Sequence, residues 1–279
     1  MKVFKSINNN IVSAIDENGR EIVVIGKGIG YKARKGDEVP VEKIEKTFLM
    51  NNQQNIERLS DLHTLPTECI ELAEQILKYT KQHIKESINE GVCLILADHI
   101  SFAITRFRSG MEFQNILLPE VRRFYPKEFA TGMYALGLIK DKFDIDMPED
   151  EAASIAFYIV NAKYDISVMD VFKSTRLLEQ IADTIKEEMG FELQNNNYYC
   201  ERFFGHLRHL AQRIIQQEVL SGQESGDFLE MLQEKYPKEV KCAKAVADAV
   251  WESRQHKLSK EEISSLALHI RRIGLNAID

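Results

Sequence analysis

Most of the chain consists of an internal repeat. The segment YPKEF, which starts at Tyr125, returns as YPKEV at Tyr236, a shift of 111 residues. The same shift, without a gap, places Tyr158 on His269. A repeat of this length constrains the fold strongly, because each copy is expected to form the same structural unit.

Histidine and arginine recur together upstream of these segments. His99 and Arg106 match His206 and Arg213, and the two residues of each pair are seven apart in both copies. Seven residues are about two turns of an α-helix, so each pair is expected on one helix face.

Apolar residues recur at helical spacing in the repeated region, for example at Ile70, Ala73 and Leu77. This spacing is typical of amphipathic helices. We therefore expect two tandem all-α helical-bundle domains, at residues 65–168 and 169–279.

The N-terminal residues 1–56 predict a small antiparallel β-sheet instead. Ile11–Ile15 and Glu21–Ile25 are rich in β-forming residues and flank an Asn-Gly pair, a strong hairpin signal. Two further strands are expected, at Val3–Ile7 and Tyr31–Lys35. So small a sheet has little core of its own, so we expect it to dimerise and cover one face. A polar linker is expected near residues 50–64.

Charge is distributed unevenly along the chain. The formal net charge is -7, yet residues 1–36 carry seven basic against three acidic side chains. The N-terminal segment is therefore suited to a polyanion, while the body is acidic.

The remaining composition predicts a soluble, cytoplasmic protein without membrane insertion. No run of 18 apolar residues occurs, and the N-terminus lacks a secretion signal. The four cysteines are far apart in sequence, so we expect them to be reduced and mostly buried. They are Cys69, Cys93, Cys200 and Cys242.

Asp98 and His99 interrupt an otherwise apolar helical segment. Such a histidine can be a nucleophile or general base, a metal ligand, or a packed core residue. The second copy, His206 with Arg213, favours a functional role.

The sequence contains no HExxH motif and no His/Cys cluster that would indicate a zinc site, although a metal pair of His206 with His209 is conceivable. A G-x-S-x-G turn for a serine nucleophile is absent.

A glycine-rich segment, Gly26–Tyr31, follows the second predicted hairpin strand. It is a weak signal for nucleotide binding, because no helix is predicted after it. Alternatively, it lets a nucleic-acid backbone approach, with Lys27 for a phosphate and Tyr31 for stacking on an unpaired base. The amides of Asn8–Asn10 can read base edges or form a simple turn. Together with the basic charge, the pattern favours RNA binding.

These motifs resemble the BglG/SacY/LicT family of bacterial transcriptional antiterminators, and the resemblance covers essentially the whole chain. Its most specific parts are Ile7–Asn10, Gly26–Tyr31, Ile44–Phe48, Asp98-His99, Tyr125–Phe129, His206–Arg208 and Leu268–Ile270.

The resemblance implies an RNA-binding co-antiterminator domain at 1–56, a homodimeric four-stranded sheet, and two PTS regulation domains, with no metal or cofactor. In such proteins the dimer binds a hairpin in leader mRNA of a sugar operon, commonly for β-glucosides, and prevents the overlapping terminator from folding. By position, the RNA contacts fall on Lys5, Asn8, Asn10, Gly26, Lys27 and Tyr31. The family often has arginine at position 27 and phenylalanine at position 31.

The resemblance also implies phosphorylation of histidines by the sugar phosphotransferase system. The sugar-specific transporter, enzyme II, acts negatively on the first helical domain, and the phosphocarrier HPr acts positively on the second. The acceptors are His99, His206 and His269, with Asp98, Arg106 and Arg213 in support. The fourth family position is Tyr158, and a phenol cannot accept the phosphoryl group by the same chemistry.

Two other functions are alternatives to a non-enzymatic antiterminator. A DNA-binding activator could carry the same regulatory domains, but residues 1–56 predict a sheet rather than a helix-turn-helix. A metalloenzyme built on helical repeats is the third interpretation, and stoichiometric zinc in the purified protein would support it.

Overall fold

The computed structural model describes residues 1–49, 65–193, 198–217 and 226–276. The chain forms two compact units. The first comprises Met1–Asn115 and Lys127–Ile166, and the second comprises Ile116–Pro126 and Ser167–Asp279. The expected linker at 50–64 lies outside the described residues, and the domain boundaries 1–56, 65–168 and 169–279 stay predictions.

A four-stranded antiparallel sheet opens the first unit, in the order β1-β2-β3-β4. The strands are β1 Lys2–Asn8, β2 Ile11–Ile15, β3 Glu21–Ile25 and β4 Lys46–Leu49. The first three strands confirm the expected ones. The turn between β2 and β3 contains Gly19 with φ of 76°, the conformation that favours glycine.

The expected strand at Tyr31–Lys35 is wrong, since this segment forms turns. Lys32 has φ of 59°, which no extended strand contains. The fourth strand is β4 instead, where Lys46 pairs with Ile25 of β3. Residues 1–49 otherwise contain only a short 3-10 helix, Val41–Lys43, so this described segment has no helix-turn-helix.

In the described residues, ten α-helices follow the sheet, which confirms the predicted fold class. They are α1 Thr67–His83, α2 Val92–Arg108, α3 Leu118–Phe124, α4 Pro126–Phe143, α5 Glu149–Tyr164, α6 Val168–Met189, α7 Tyr198–Gln216, α8 Gly226–Lys235, α9 Pro237–Arg254 and α10 Lys260–Asn276.

Both faces of the sheet are covered. On one face Val12 and Val24 pack beneath Ile29 of the following loop. On the other face Ile11 and Val23 belong to the same buried cluster as α1 and α2. In the single chain, this second face therefore lies on helices rather than on a second sheet.

The repeat is visible in the helix boundaries. Helices α4 and α9 begin at Pro126 and Pro237, and proline suits the first helical position because its φ is already helical. Helices α5 and α10 begin at Glu149 and Lys260. Both pairs keep the 111-residue shift, so the repeated sequence folds into repeated structure.

The glutamate of the repeated YPKE motif has a packing role in both units. Glu128 is buried and pairs with Lys163 at 3.1 Å. Glu239 is buried and pairs with Arg271, also at 3.1 Å. Each carboxylate lies in the first turn of its helix, where the helix dipole favours negative charge.

All four cysteines are buried, as the sequence predicted. Among the described residues, no helix combines the length and the apolar character that a bilayer crossing requires.

Candidate functional site

Two rings meet between α2 and α5 in the first unit. The centroids of His99 and Tyr158 lie 4.8 Å apart, with an interplanar angle of 37°. The His99 side chain is 11% exposed, so a reagent can reach it while most of the ring stays packed.

An acid on α5 links His99 to the arginine of its own helix. The Glu151 Oε2 atom lies 3.5 Å from His99 Nε2, and its Oε1 atom accepts a hydrogen bond from Arg106. Burial raises the pKa of Glu151, but its contacts with His99 and Arg106 outweigh burial and hold the pKa below its usual value. Glu151 is therefore an anion that lies between the imidazole of His99 and the guanidinium of Arg106.

Aromatic rings and open space surround the guanidinium of Arg106. It lies 4.1 Å from the ring centroid of Phe113 and 5.3 Å from that of Phe102. A cavity of about 690 Å³ is lined by Arg106 and Glu151 among others. The guanidinium therefore has room to change its partner.

Asp98, the acid that the sequence placed next to His99, is exposed to solvent. Adjacent residues on a helix point about 100° apart. The carboxylate beside the imidazole of His99 is that of Glu151.

The second unit places two histidines where the first has histidine and tyrosine. The centroids of His206 on α7 and His269 on α10 lie 4.7 Å apart, with an interplanar angle of 24°. Phe203 lies against the second ring at 5.5 Å. The two ring separations are nearly equal. Helices α2 and α5 therefore bring their rings together as helices α7 and α10 do.

The second unit also repeats the arginine–glutamate pair. Arg213 donates a hydrogen bond to Glu262 Oε1 at 2.6 Å. The other oxygen of Glu262 accepts from the backbone N–H of Ser259 at 2.8 Å, in a capping box that starts α10. Ser265 adds a hydroxyl 3.4 Å from His206 Nε2.

Both histidines of the second unit are neutral at neutral pH. Burial and the positive charge of Arg213 lower the pKa of His206. Burial and the neighbouring His206 lower the pKa of His269 from 6.5 to about 4. A neutral imidazole keeps a lone pair, which a phosphoryl acceptor needs.

Each ring pair therefore places an imidazole near a guanidinium cation. A phosphoryl group on His99 or His206 would bring roughly -1.5 to -2 charges beside Arg106 or Arg213. Since each arginine is already paired with a glutamate, the new anion must compete for it. The arrangement can convert phosphorylation into a change of ion pairs between two helices.

The metal pair that His206 and His209 would form finds no third ligand. In the part of the chain that the structure describes, no group of three His, Cys, Asp or Glu side chains could hold a metal ion.

The glycine-rich loop is held close to the sheet. A Cβ atom on Gly26 would lie 1.7 Å from the carbonyl oxygen of Lys43, so only glycine fits there. The Asn10 side-chain oxygen accepts a hydrogen bond from the Gly28 N–H at 2.9 Å. Two of the predicted RNA-contact positions therefore also shape the loop.

The remaining predicted RNA contacts are at the surface. Lys5 and Lys27 are exposed, and Tyr31 is 63% exposed with Lys32 at 5.3 Å from its ring. The side chain of Asn8 lies outside the described residues. An exposed aromatic ring among lysines is suited to a nucleic acid, because it can stack on a base next to bound phosphates.

The sequence alone indicates no role for Glu151, Glu262 or Ser265. The signal was present, because the ungapped shift of 111 residues aligns Glu151 with Glu262. The pairing of these glutamates with the arginines becomes visible only in the structure.

Family models match almost the whole described chain. The CAT RNA binding domain matches residues 1–57, and the PRD domain matches residues 74–162 and 179–273.

Full-length relatives agree with these matches. The chain is 35% identical to "Transcription antiterminator LicT" of Bacillus subtilis (strain 168), over 98% of this chain and 99% of that protein. It is 36% identical to "Beta-glucoside operon antiterminator" of Dickeya chrysanthemi, over 98% and 96% of the two chains. The solved structure "Crystal structure of GlcT CAT-PRDI" is 27% identical, with a TM-score of 0.46, and covers 58% of this chain and 98% of that one. The domain matches and the two full-length relatives show that the chain belongs to the family of RNA-binding transcription antiterminators, which join a CAT RNA binding domain to PRD domains.

Proposed function

We propose that this protein binds a hairpin in the leader mRNA of a sugar-utilisation operon and prevents the overlapping terminator from forming. The observation that carries the proposal is the full-length similarity to named antiterminators. One of them is named for a β-glucoside operon, so β-glucosides are the proposed sugar class. The protein acts by binding, without catalytic turnover, metal or cofactor.

The RNA surface is the exposed edge formed by β1 and the loop after β3. Lys5 and Lys27 contact phosphates there, and Tyr31 stacks on an unpaired base. Lysine at position 27 contributes one point charge, since it lacks the bidentate fork of arginine. Asn10 supplies an amide next to the loop, Asn8 is a further proposed contact, and the small Gly26 allows close approach of the RNA backbone.

Replacing Lys27 with alanine should weaken binding of the full chain to its own operon's leader RNA. The slope of log K against log salt concentration should become shallower by about one unit, because one phosphate contact is lost. Lys257→Ala removes an exposed lysine from the second unit and serves as the control. A titration in which both variants match the wild type would refute the proposed RNA surface.

Phosphorylation of His99, His206 and His269 is the proposed control of RNA binding. The neutral state of the second pair and the arginines beside both pairs support it. HPr is the proposed donor to His206 and His269, with a positive effect. Enzyme II is the proposed agent at His99, with a negative effect. The cytoplasm is the proposed location, because the proposed donors act there.

A homodimer of the CAT sheets is the proposed RNA-binding form. In the single chain, the face that contains Ile11 and Val23 packs with α1 and α2. Pairing of two sheets on that face requires the helices to withdraw. Changes in phosphorylation would then alter molecular size together with RNA affinity.

A further inference from the structure

An exposed aromatic ring on β1 has no part in either core of the sheet. Phe4 is 40% exposed, whereas the preceding Val3 is 3% exposed. The pairing of β1 with β2 is irregular here, because Val3 faces Ala14 and Lys5 faces Ser13. Phe4 is thus the extra residue of a β-bulge, a feature that often re-aims a side chain.

A lysine lies over the ring of Phe4. The Nζ atom of Lys35 is 4.6 Å from the ring centroid. The turn that carries Lys35 is joined to β1 by two backbone hydrogen bonds of 2.8 Å, from Gly36 N–H to the Val3 carbonyl and from Val3 N–H to the Asp37 carbonyl. These backbone hydrogen bonds therefore fix the turn that carries Lys35 beside β1.

The same combination of ring and lysine occurs a short way along this edge. Lys32 lies 5.3 Å from the Tyr31 ring. Ser6 Oγ donates to the carbonyl of Gly30, the residue before Tyr31, at 3.0 Å. From Phe4 to Ser6 the strand advances about 7 Å. The two rings therefore belong to one edge of the sheet.

We infer that Phe4 and Lys35 form a second stacking site for an unpaired base of the RNA, next to the site at Tyr31. The ring supplies a face for the base and the lysine a charge for the adjoining phosphate. RNA fits this edge better than an acidic protein does, because stacking needs a flat partner and the lysines need closely spaced phosphates. The inference rests on the proposed RNA-binding function and extends its contact surface.

The test is a titration of the full-length protein with its own operon's leader RNA. Phe4→Ala should weaken binding by about 5- to 150-fold, the range for loss of one stacked base. Phe4→Tyr should bind like the wild type, because it keeps the stacking face. Lys35→Ala should make the salt slope shallower by about 0.7, as expected for one contact to a single strand.

The control is Trp251→Ala, which removes an aromatic ring that is 49% exposed in the second unit. It should leave RNA affinity unchanged, and thermal melting should show that all variants are folded. If wild type binds the RNA and Phe4→Ala binds equally well, the second stacking site is refuted while the proposed function stands. If wild type itself does not bind, the proposed function fails. If Phe4→Ala leaves RNA affinity unchanged but weakens binding to a protein, the edge serves a protein partner and the inference is overturned.

Discussion

Replacing Glu151 with alanine should lower the free energy of unfolding of the first unit by about 3–5 kcal/mol. The Glu151 side chain is 4% exposed, and it contacts both Arg106 and His99. Without it the arginine keeps its charge in a partly buried place and loses its anion. Removing one partner of a buried ion pair costs far more than the pair itself contributes, because an uncompensated charge stays behind.

The measurement is urea unfolding of the full chain, followed by two probes, since a chain with two units need not unfold in one step. Asp146→Ala breaks an ion pair with Lys140 in which both side chains are more than half exposed, and it should cost less than about 1 kcal/mol. Glu262→Ala should destabilise the second unit through Arg213. If Glu151→Ala costs no more than Asp146→Ala, the role assigned to Glu151 is wrong.

Replacing Tyr158 with histidine should add one phosphoryl group per chain when the protein is incubated with the complete phosphotransferase system. The ring of Tyr158 lies 4.8 Å from His99, and the ring of His269 lies 4.7 Å from His206. A histidine at position 158 would thus occupy, beside His99, the place that His269 occupies beside His206. Its imidazole would supply the nitrogen nucleophile that a phenol lacks.

Intact mass spectrometry under mildly alkaline conditions counts the phosphoryl groups. Tyr158→Phe is the matched control, because it keeps the packed ring and adds no nucleophile, so its count should equal that of wild type. An unchanged count for Tyr158→His would show that Tyr158 does not occupy an acceptor position.

Local sequence signals predicted β2 and β3 to the residue, because strand composition and the Asn-Gly turn agree there. The fourth strand was misplaced. A short strand is expected at Tyr31–Lys35, yet Lys32 adopts positive φ and the segment turns. β4 depends on hydrogen bonds to β3, about 20 residues earlier, and such long-range pairing leaves little local trace.

The repeat predicted that position 99 corresponds to 206 and that position 158 corresponds to 269. It left the partner of each arginine open, because the contact depends on the rotation of α5 and α10 about their axes. Hydrophobic spacing gives that rotation only approximately. The unit to which Ile116–Pro126 belongs is a second feature that the repeat does not predict. This segment is part of the second unit, although its sequence lies within the first repeat.

The most direct test of the central claim is transcription in vitro from the operon's own promoter through its leader terminator. Addition of the full-length protein should increase the fraction of transcripts that extend past the terminator, and the double variant Lys27→Ala, Tyr31→Ala should not. Readthrough that is unchanged by the wild-type protein, or raised equally by the double variant, would contradict the account.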